Sequence, residues 1–320
     1  NNQGQYAEPF DMTGTVAIGY QALKNGAGSS NSVVIGSQAA DAVTSTDYLV
    51  IIGSGAASAI NSPDADGTIA IGYQAGVLLT SGRYSTFVGY AAGYSSDTND
   101  GNTFIGYLAG YEADASTVVA GQNTYIGAFA GRFLDDGTDN VAIGYDAMAS
   151  NSDGAANAVN YSIAIGRNAM ASSDSNQGTI AIGYYANDHA SADVDNAVII
   201  GREAGRGAMT SGADGTVAIG YAASQALTSG AGNLAIGYEA LKVHTTGIRN
   251  IAIGYEAMND TDAGSTSLAS EDNIFIGQDA GGGTWTNVAS SQNVGIGTYS
   301  MDSALAGAMR NTAVGYWTLS

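Results

Sequence analysis

A single eight-residue motif recurs seventeen times along this chain, and a chain that repeats itself at so short an interval has few folds open to it. The first copy reads TVAIGYQA over residues 15–22. Its glycine can be followed through Gly19, Gly36, Gly53, Gly72, Gly89, Gly106, Gly127, Gly144, Gly166, Gly183, Gly201, Gly220, Gly237, Gly254, Gly277, Gly297 and Gly315. Eight of the sixteen intervals are 17 residues, and the others run from 18 to 23 with the extra length in Gly-, Ser-, Asp- and Asn-rich connectors. The motif is constrained and the connector is free.

Four residues before the glycine, 15 of 17 copies carry Asn, Ser or Thr. A β-branched or apolar residue follows, then a mostly small one (Ala17, Ala70, Ala142), then Ile or Val in every copy, as at Ile18, Ile71, Ile143 and Ile253. This is strand composition ending at a glycine that permits a bend, and no 3.6-residue period runs through the connectors. Like strands align when the chain coils. The pattern therefore predicts an all-β fold, a parallel β-solenoid of about 17 turns, in which like residues stack at ~4.8 Å and the Asn, Ser and Thr columns form hydrogen-bonded ladders. A single repeat domain over residues 11–320 is expected, after a lead-in over residues 1–10.

In a strand, Val16 and Ile18 point one way while Thr15 and Ala17 point the other, and both sets are largely apolar, which predicts burial on both sides. The Ile/Val set is expected to fill the solenoid. The Ala set, enlarged at Phe87, Phe104, Tyr125 and Phe275, is then expected to pack against other copies of the chain, making an oligomer with three-fold symmetry the natural expectation. The pattern Asn/Ser-x-Ala-Ile-Gly-x-x-Ala resembles the β-roll head repeats of trimeric autotransporter adhesins and, more closely, the Ile-Gly-Tyr-x-Ala-Gly repeats of bacteriophage tail fibres and related cell-surface fibres. The resemblance covers about residues 11–320 and implies a homotrimer of coiled parallel strands that attaches to a cell surface. The spacing is longer than the autotransporter head's, and no heptad stalk or membrane-anchor segment accompanies it, which favours a phage or detached fibre.

Composition narrows the chemistry. With 29 acidic residues against 9 Lys and Arg, the net charge is -20, and no basic patch exists for nucleic acid. The absence of cysteine removes disulfides and thiolate sites, and no apolar run approaches a membrane span. The residue after the motif glycine is Tyr in ten copies, among them Tyr20, Tyr73, Tyr107, Tyr145 and Tyr238; a structural stack is the favoured reading and an aromatic strip for sugar rings the functional one. Arg167 and Arg202 interrupt this column and read as salt-bridged corners, with local recognition points as the alternative. Asp64, Asp66, Asp97, Asp100, Asp135 and Asp139 sit in Asp/Asn/Gly connectors that offer oxygen ligands for Ca²⁺, although the same residues are turn formers. No other cofactor is indicated.

His189 and His244 lie in connectors without a nucleophile or orienting partner, so they read as surface residues and the chain as a non-enzyme. Trp285, in a long connector expected to project, is with Tyr299 and Trp317 a candidate contact residue; a local plug is the alternative for Trp285. The expected function is thus an extracellular fibre or adhesin segment on a virion tail or cell surface, whose partners are its own copies and a host-cell surface glycan or protein. An end-to-end homopolymer, suggested by the short lead-in and closing sequence, and a glycan-cleaving fibre are the alternatives.

Overall fold

The computed structural model describes residues 13–320 except 27, 99, 113–120, 135–136, 151–158, 173–174, 190–193, 261–269, 284, 286–287, 304 and 306. The lead-in over residues 1–10 and Asp135 fall outside these. Two compact units divide the chain, Asn1–Asp139 and Asn140–Ser320. Each is a parallel β-solenoid. The first holds seven three-residue strands, from Val16–Ile18 to Thr124–Ile126, and the second ten, from Val141–Ile143 to Thr312–Val314. Successive strands pair parallel and in register, as Val217 with Leu234, Ala218 with Ala235 and Ile219 with Ile236. Among the described residues seventeen strands make six turns in the first unit and nine in the second, about fifteen where seventeen were expected. Helix among the described residues is confined to the 3₁₀ turns Pro63–Ala65 and Ser211–Ala213.

The polar column does what its position in the repeat predicts. Asn250, Asn273, Asn293 and Asn311 each donate Nδ2 to the Oδ1 of the Asn one turn earlier, at 3.2, 3.0, 3.1 and 3.0 Å, and their backbone N–H groups share the same acceptor. At Ser32, Ser85, Ser162 and Thr179 the hydroxyl still accepts the next turn's N–H, Ser162 from Thr179 at 3.1 Å, whereas Thr68 and Thr216 donate theirs to connector carbonyls. Stacking thus satisfies buried amides that would otherwise be costly.

Which strand face is inside is the reverse of the expectation. In every strand but the first, Val16–Ile18, the central residue is the buried one: Val34, Ile51, Ala70, Phe87, Phe104, Tyr125, Ala142 and Phe275 are all fully enclosed. The flanking Ile and Val residues point outward and are half-buried or exposed, Ile18 at 58%. The interior is narrow, so each turn fills it with the strand centre, the Ala three residues after the glycine, the residue after that Ala, and one connector side chain such as Leu79, Met209 or Leu227.

Volume is exchanged between the strand centre and the residue four after the glycine, within a turn or with its neighbour, as where Gly76 of the Ala70 turn makes room for Phe87 of the next. Where the strand centre is Phe87, Phe104, Tyr125 or Phe275, the residue four after the glycine is Gly93, Gly110, Gly131 or Gly281, and a Cβ there would strike the ring. Where the centre is Ala142, Ala164 or Ala252, the same position holds buried Met148, Met170 or Met258. Close packing of an interior this narrow requires such exchange.

The corner after the glycine alternates handedness. Glu239 and Leu241 are left-handed (φ 55° and 53°), as are Glu256 and Met258 (54° and 52°). Consequently Glu239 N–H donates to Tyr221 O on the preceding turn at 2.8 Å, and Leu241 N–H to Ala257 O on the following turn at 3.0 Å. The bonds gained on both sides offset a left-handed cost of about 1–2 kcal/mol per residue.

Candidate binding surface

Each unit carries two outward ranks, three residues and one residue before the motif glycine. Thirty of these 34 positions are Val, Ile or Leu; Thr86, Thr103, Thr124 and Thr312 are the exceptions. In the second unit the ranks and the adjoining tyrosine corner extend about 45 Å along the strand stack and about 15 Å across it, on the order of 600 Å². That matches or exceeds the largest apolar patch of a typical monomer, roughly 300–600 Å².

The tyrosine column forms real stacks. Tyr73, Tyr90 and Tyr107 follow one another at centroid separations of 5.2 and 5.3 Å, and Tyr221, Tyr238 and Tyr255 at 5.0 and 5.0 Å, with interplanar angles of 26° or less. Stacked neighbours cover the ring faces, so edges and hydroxyls meet solvent, and a strip of open faces for sugar rings is not what this geometry provides. A hydrogen bond to Glu256, with burial and that carboxylate's charge, pushes Tyr255 up to about 12. The hydroxyl therefore stays a neutral donor.

Arginine breaks the column without breaking the stack. The Arg167 guanidinium carbon lies 5.5 Å from the Tyr145 ring centroid and 5.9 Å from that of Tyr184; Arg202 lies 5.8 Å from Tyr184 and 5.7 Å from Tyr221. Arg202 is a salt-bridged corner as expected, with Nη2 3.2 Å from Glu203 Oε1. Arg167 is not: it has no carboxylate partner among the described residues. Beside them, Arg206 stacks on Tyr185 at 4.5 Å and reaches Glu203 at 3.7 Å. Arg206 also lines an open cleft of about 340 Å³ with His189, Ala208 and Gln225. His189 is exposed, as predicted, yet it has an orienting partner, Asp188 Oδ2 at 3.0 Å from Nδ1. Burial raises the Asp188 carboxyl, against the pull of His189 and Arg206.

A second cleft, of about 410 Å³, is acidic. Glu239, Glu256 and Asp279 line it from the same position of three successive turns, together with Lys242 and Asp260. Lys242 Nζ holds Glu239 at 2.9 Å. Burial, reinforced by Glu256, raises Asp279.

The connector carboxylates bind neighbouring backbone. Asp66 Oδ1 accepts Asp47 N–H at 2.7 Å and Asp100 Oδ1 accepts Arg83 N–H at 2.7 Å. Asp97 accepts the Thr80 hydroxyl, Asp64 lies 3.3 Å from Ser62 Oγ, and Asp139 lies 3.4 Å from Thr138 Oγ1. Among the described residues, no three His, Asp or Glu side chains gather closely enough to hold a metal ion.

Two further placements correct the reading from sequence. Trp285 is fully buried, its Nε1–H donating to Gly281 O at 3.0 Å and its ring edge-on to Phe275 at 5.8 Å. It packs in the interior against the Phe275 ring, so it is a plug. His244 is also fully buried, against Gly247 and 3.2 Å from Asn250 Nδ2, and desolvation lowers it to about 4. Tyr299 and Trp317 do meet, at 5.9 Å, with Trp317 60% exposed and parallel to Tyr316. The Phe/Gly exchange was the signal in the sequence that marks the inner face; nothing local marks His244. No protein-family model matches the chain, and no curated protein matches it.

Proposed function

We propose that this chain is a segment of an extracellular attachment fibre, on a virion tail or a cell surface, that works as a homotrimer and binds a host-surface glycan or protein. The observation that carries this reading is the outward Val/Ile face. The ranks alone present on the order of 300 Å² per unit, within the range of the largest apolar patches on a typical monomer, and in-register apolar ranks suit a like face on a second copy. Three copies around an axis cover one another's ranks while corners and connectors remain available for contacts, where several weak contacts add through avidity. In this reading the chain binds and does not catalyse, and it needs no cofactor.

The test is the mass of the purified chain, measured alongside Ile182→Glu/Ile219→Glu, which places charge on the outer ranks and leaves the interior intact. Three chain masses for the native sequence and one for the variant, with unchanged circular dichroism, are expected. A native monomer refutes the assembly, and long filaments transfer support to end-to-end stacking.

A further inference from the structure

On a chain of net charge -20 with only nine Lys and Arg, three arginines converge on one corner of the second unit. Arg167 and Arg202 occupy the same repeat position two turns apart and sandwich Tyr184, while Arg206 stacks on Tyr185, whose ring meets Tyr184 edge-on at 4.1 Å. Held against a ring, the Arg167 guanidinium keeps its in-plane N–H groups as the fork that pairs with a carboxylate, whereas Arg202 already gives Nε and Nη2 to Glu203 Oε1, each at 3.2 Å, and keeps only its outer Nη1/Nη2 edge. The facing anions are few. Glu203 is shared between Arg202 and Arg206 and accepts Gln225 Nε2 at 3.0 Å, and Asp188 is taken up by His189. Arg167 and Arg202 are both exposed.

We propose that this corner is a binding site for an acidic polysaccharide, a glycan carrying a carboxylate on alternate sugars. Two turns of parallel strand place Arg167 and Arg202 about 10 Å apart along the stack. A nucleic acid duplex carries a phosphate for about every 3.4 Å of axis on each strand, and binding it takes clustered cations along the backbone that so acidic a protein lacks. A β-strand peptide presents same-face side chains at ~7 or ~14 Å, and a polyproline II segment at ~9 Å, so an acidic peptide is the competitor that polyglutamate tests. An alternating uronate chain meets the Arg167–Arg202 spacing, with the intervening neutral sugar over the Tyr184 edge and hydroxyl. The open cleft bordered by Arg206, His189 and Gln225 gives a side chain of the glycan a place to enter. The proposal deepens the attachment reading by naming the ligand class, and it rests on that reading only for its biological setting.

The full chain is immobilised and hyaluronate, an alternating uronate polymer, is passed over it; neutral dextran and polyglutamate serve as comparators. Native protein is expected to retain hyaluronate and not dextran, with retention weakening as salt rises. Arg167→Gln/Arg202→Gln, exposed positions whose change leaves the interior untouched, is expected to lose roughly tenfold in affinity. Arg310→Gln, an exposed arginine elsewhere, is expected to lose nothing. No retention by native protein, equal retention by the double variant, or equal competition by polyglutamate overturns the proposal. The oligomer mass of the same preparations reads the fibre assignment separately, so a trimer that ignores hyaluronate sinks the ligand and keeps the fibre.

Discussion

Replacing Gly220 by alanine tests the stacking geometry most directly. Gly220 sits at φ +138°, where L side chains are strained, and a Cβ built on it falls 2.6 Å from the Gly237 carbonyl carbon of the next turn and closer still to its oxygen. Occupying that backbone region costs about 1–3 kcal/mol, and displacing a packed neighbour costs about 1–3 more. The neighbour cannot yield cheaply, because Gly237 N–H is itself held to Ile219 O at 2.8 Å. About 4 kcal/mol is therefore expected, against total stabilities of about 5–15 kcal/mol for ordinary domains. Gly215 is the control. It is also left-handed, at φ +68°, but its Cβ would meet nothing within 4 Å, so Gly215→Ala should cost only ~1 kcal/mol. In a repeat array such losses are local. Urea unfolding should separate the two variants by about 3 kcal/mol, and hydrogen exchange should show faster amides over Val217–Ile219 and Leu234–Ile236 in Gly220→Ala alone. If the two variants unfold within about 0.5 kcal/mol of each other, the glycine column is not set by turn-to-turn contact.

Three other perturbations probe the interior. Phe104→Ala should cost about 3–5 kcal/mol, and adding Gly110→Met should recover part of it, because Ala142 with Met148 is the native solution elsewhere; a double variant no better than the single denies the volume exchange. Asn273→Ala should cost about 2–3 kcal/mol by stranding the Asn293 amide groups that donate to its Oδ1, and a loss under about 0.5 kcal/mol by urea unfolding removes the ladder from the account. His244 is held at about 4 when folded, against 6.5 as its ordinary value, so between those values the unfolded chain binds the extra proton. Stability from this group is whole above pH 6.5 and falls as pH drops towards 4, by about 3 kcal/mol in total. The measurement is the difference in pH dependence between native and His244→Gln proteins over that window, which removes the shared carboxylate background; identical slopes contradict the burial.

The repeat, its strands ending at the glycine, the parallel in-register stacking and the Asn ladder were all legible in the sequence, because stacking at a single spacing makes each column of the motif a statement about its own neighbours. Reading two apolar faces from period-two alternation was equally sound. Alternation does not say which face is enclosed, and Ala17 or Ile18 alone cannot decide it; the answer depended on what the residues after the glycine put into the same narrow interior, where Phe104 requires Gly110 and Ala252 admits Met258. Connector residues were the least legible. Trp285 and His244 lie outside the motif, where no column constrains them, and their burial follows from how a connector folds back over the turn beside it. The Arg167–Tyr184–Arg202 sandwich divides the same way: repeat position aligned the three residues, while the absence of a carboxylate beside Arg167 among the described residues, and the stacking of Arg206 on Tyr185, were settled only by tertiary placement.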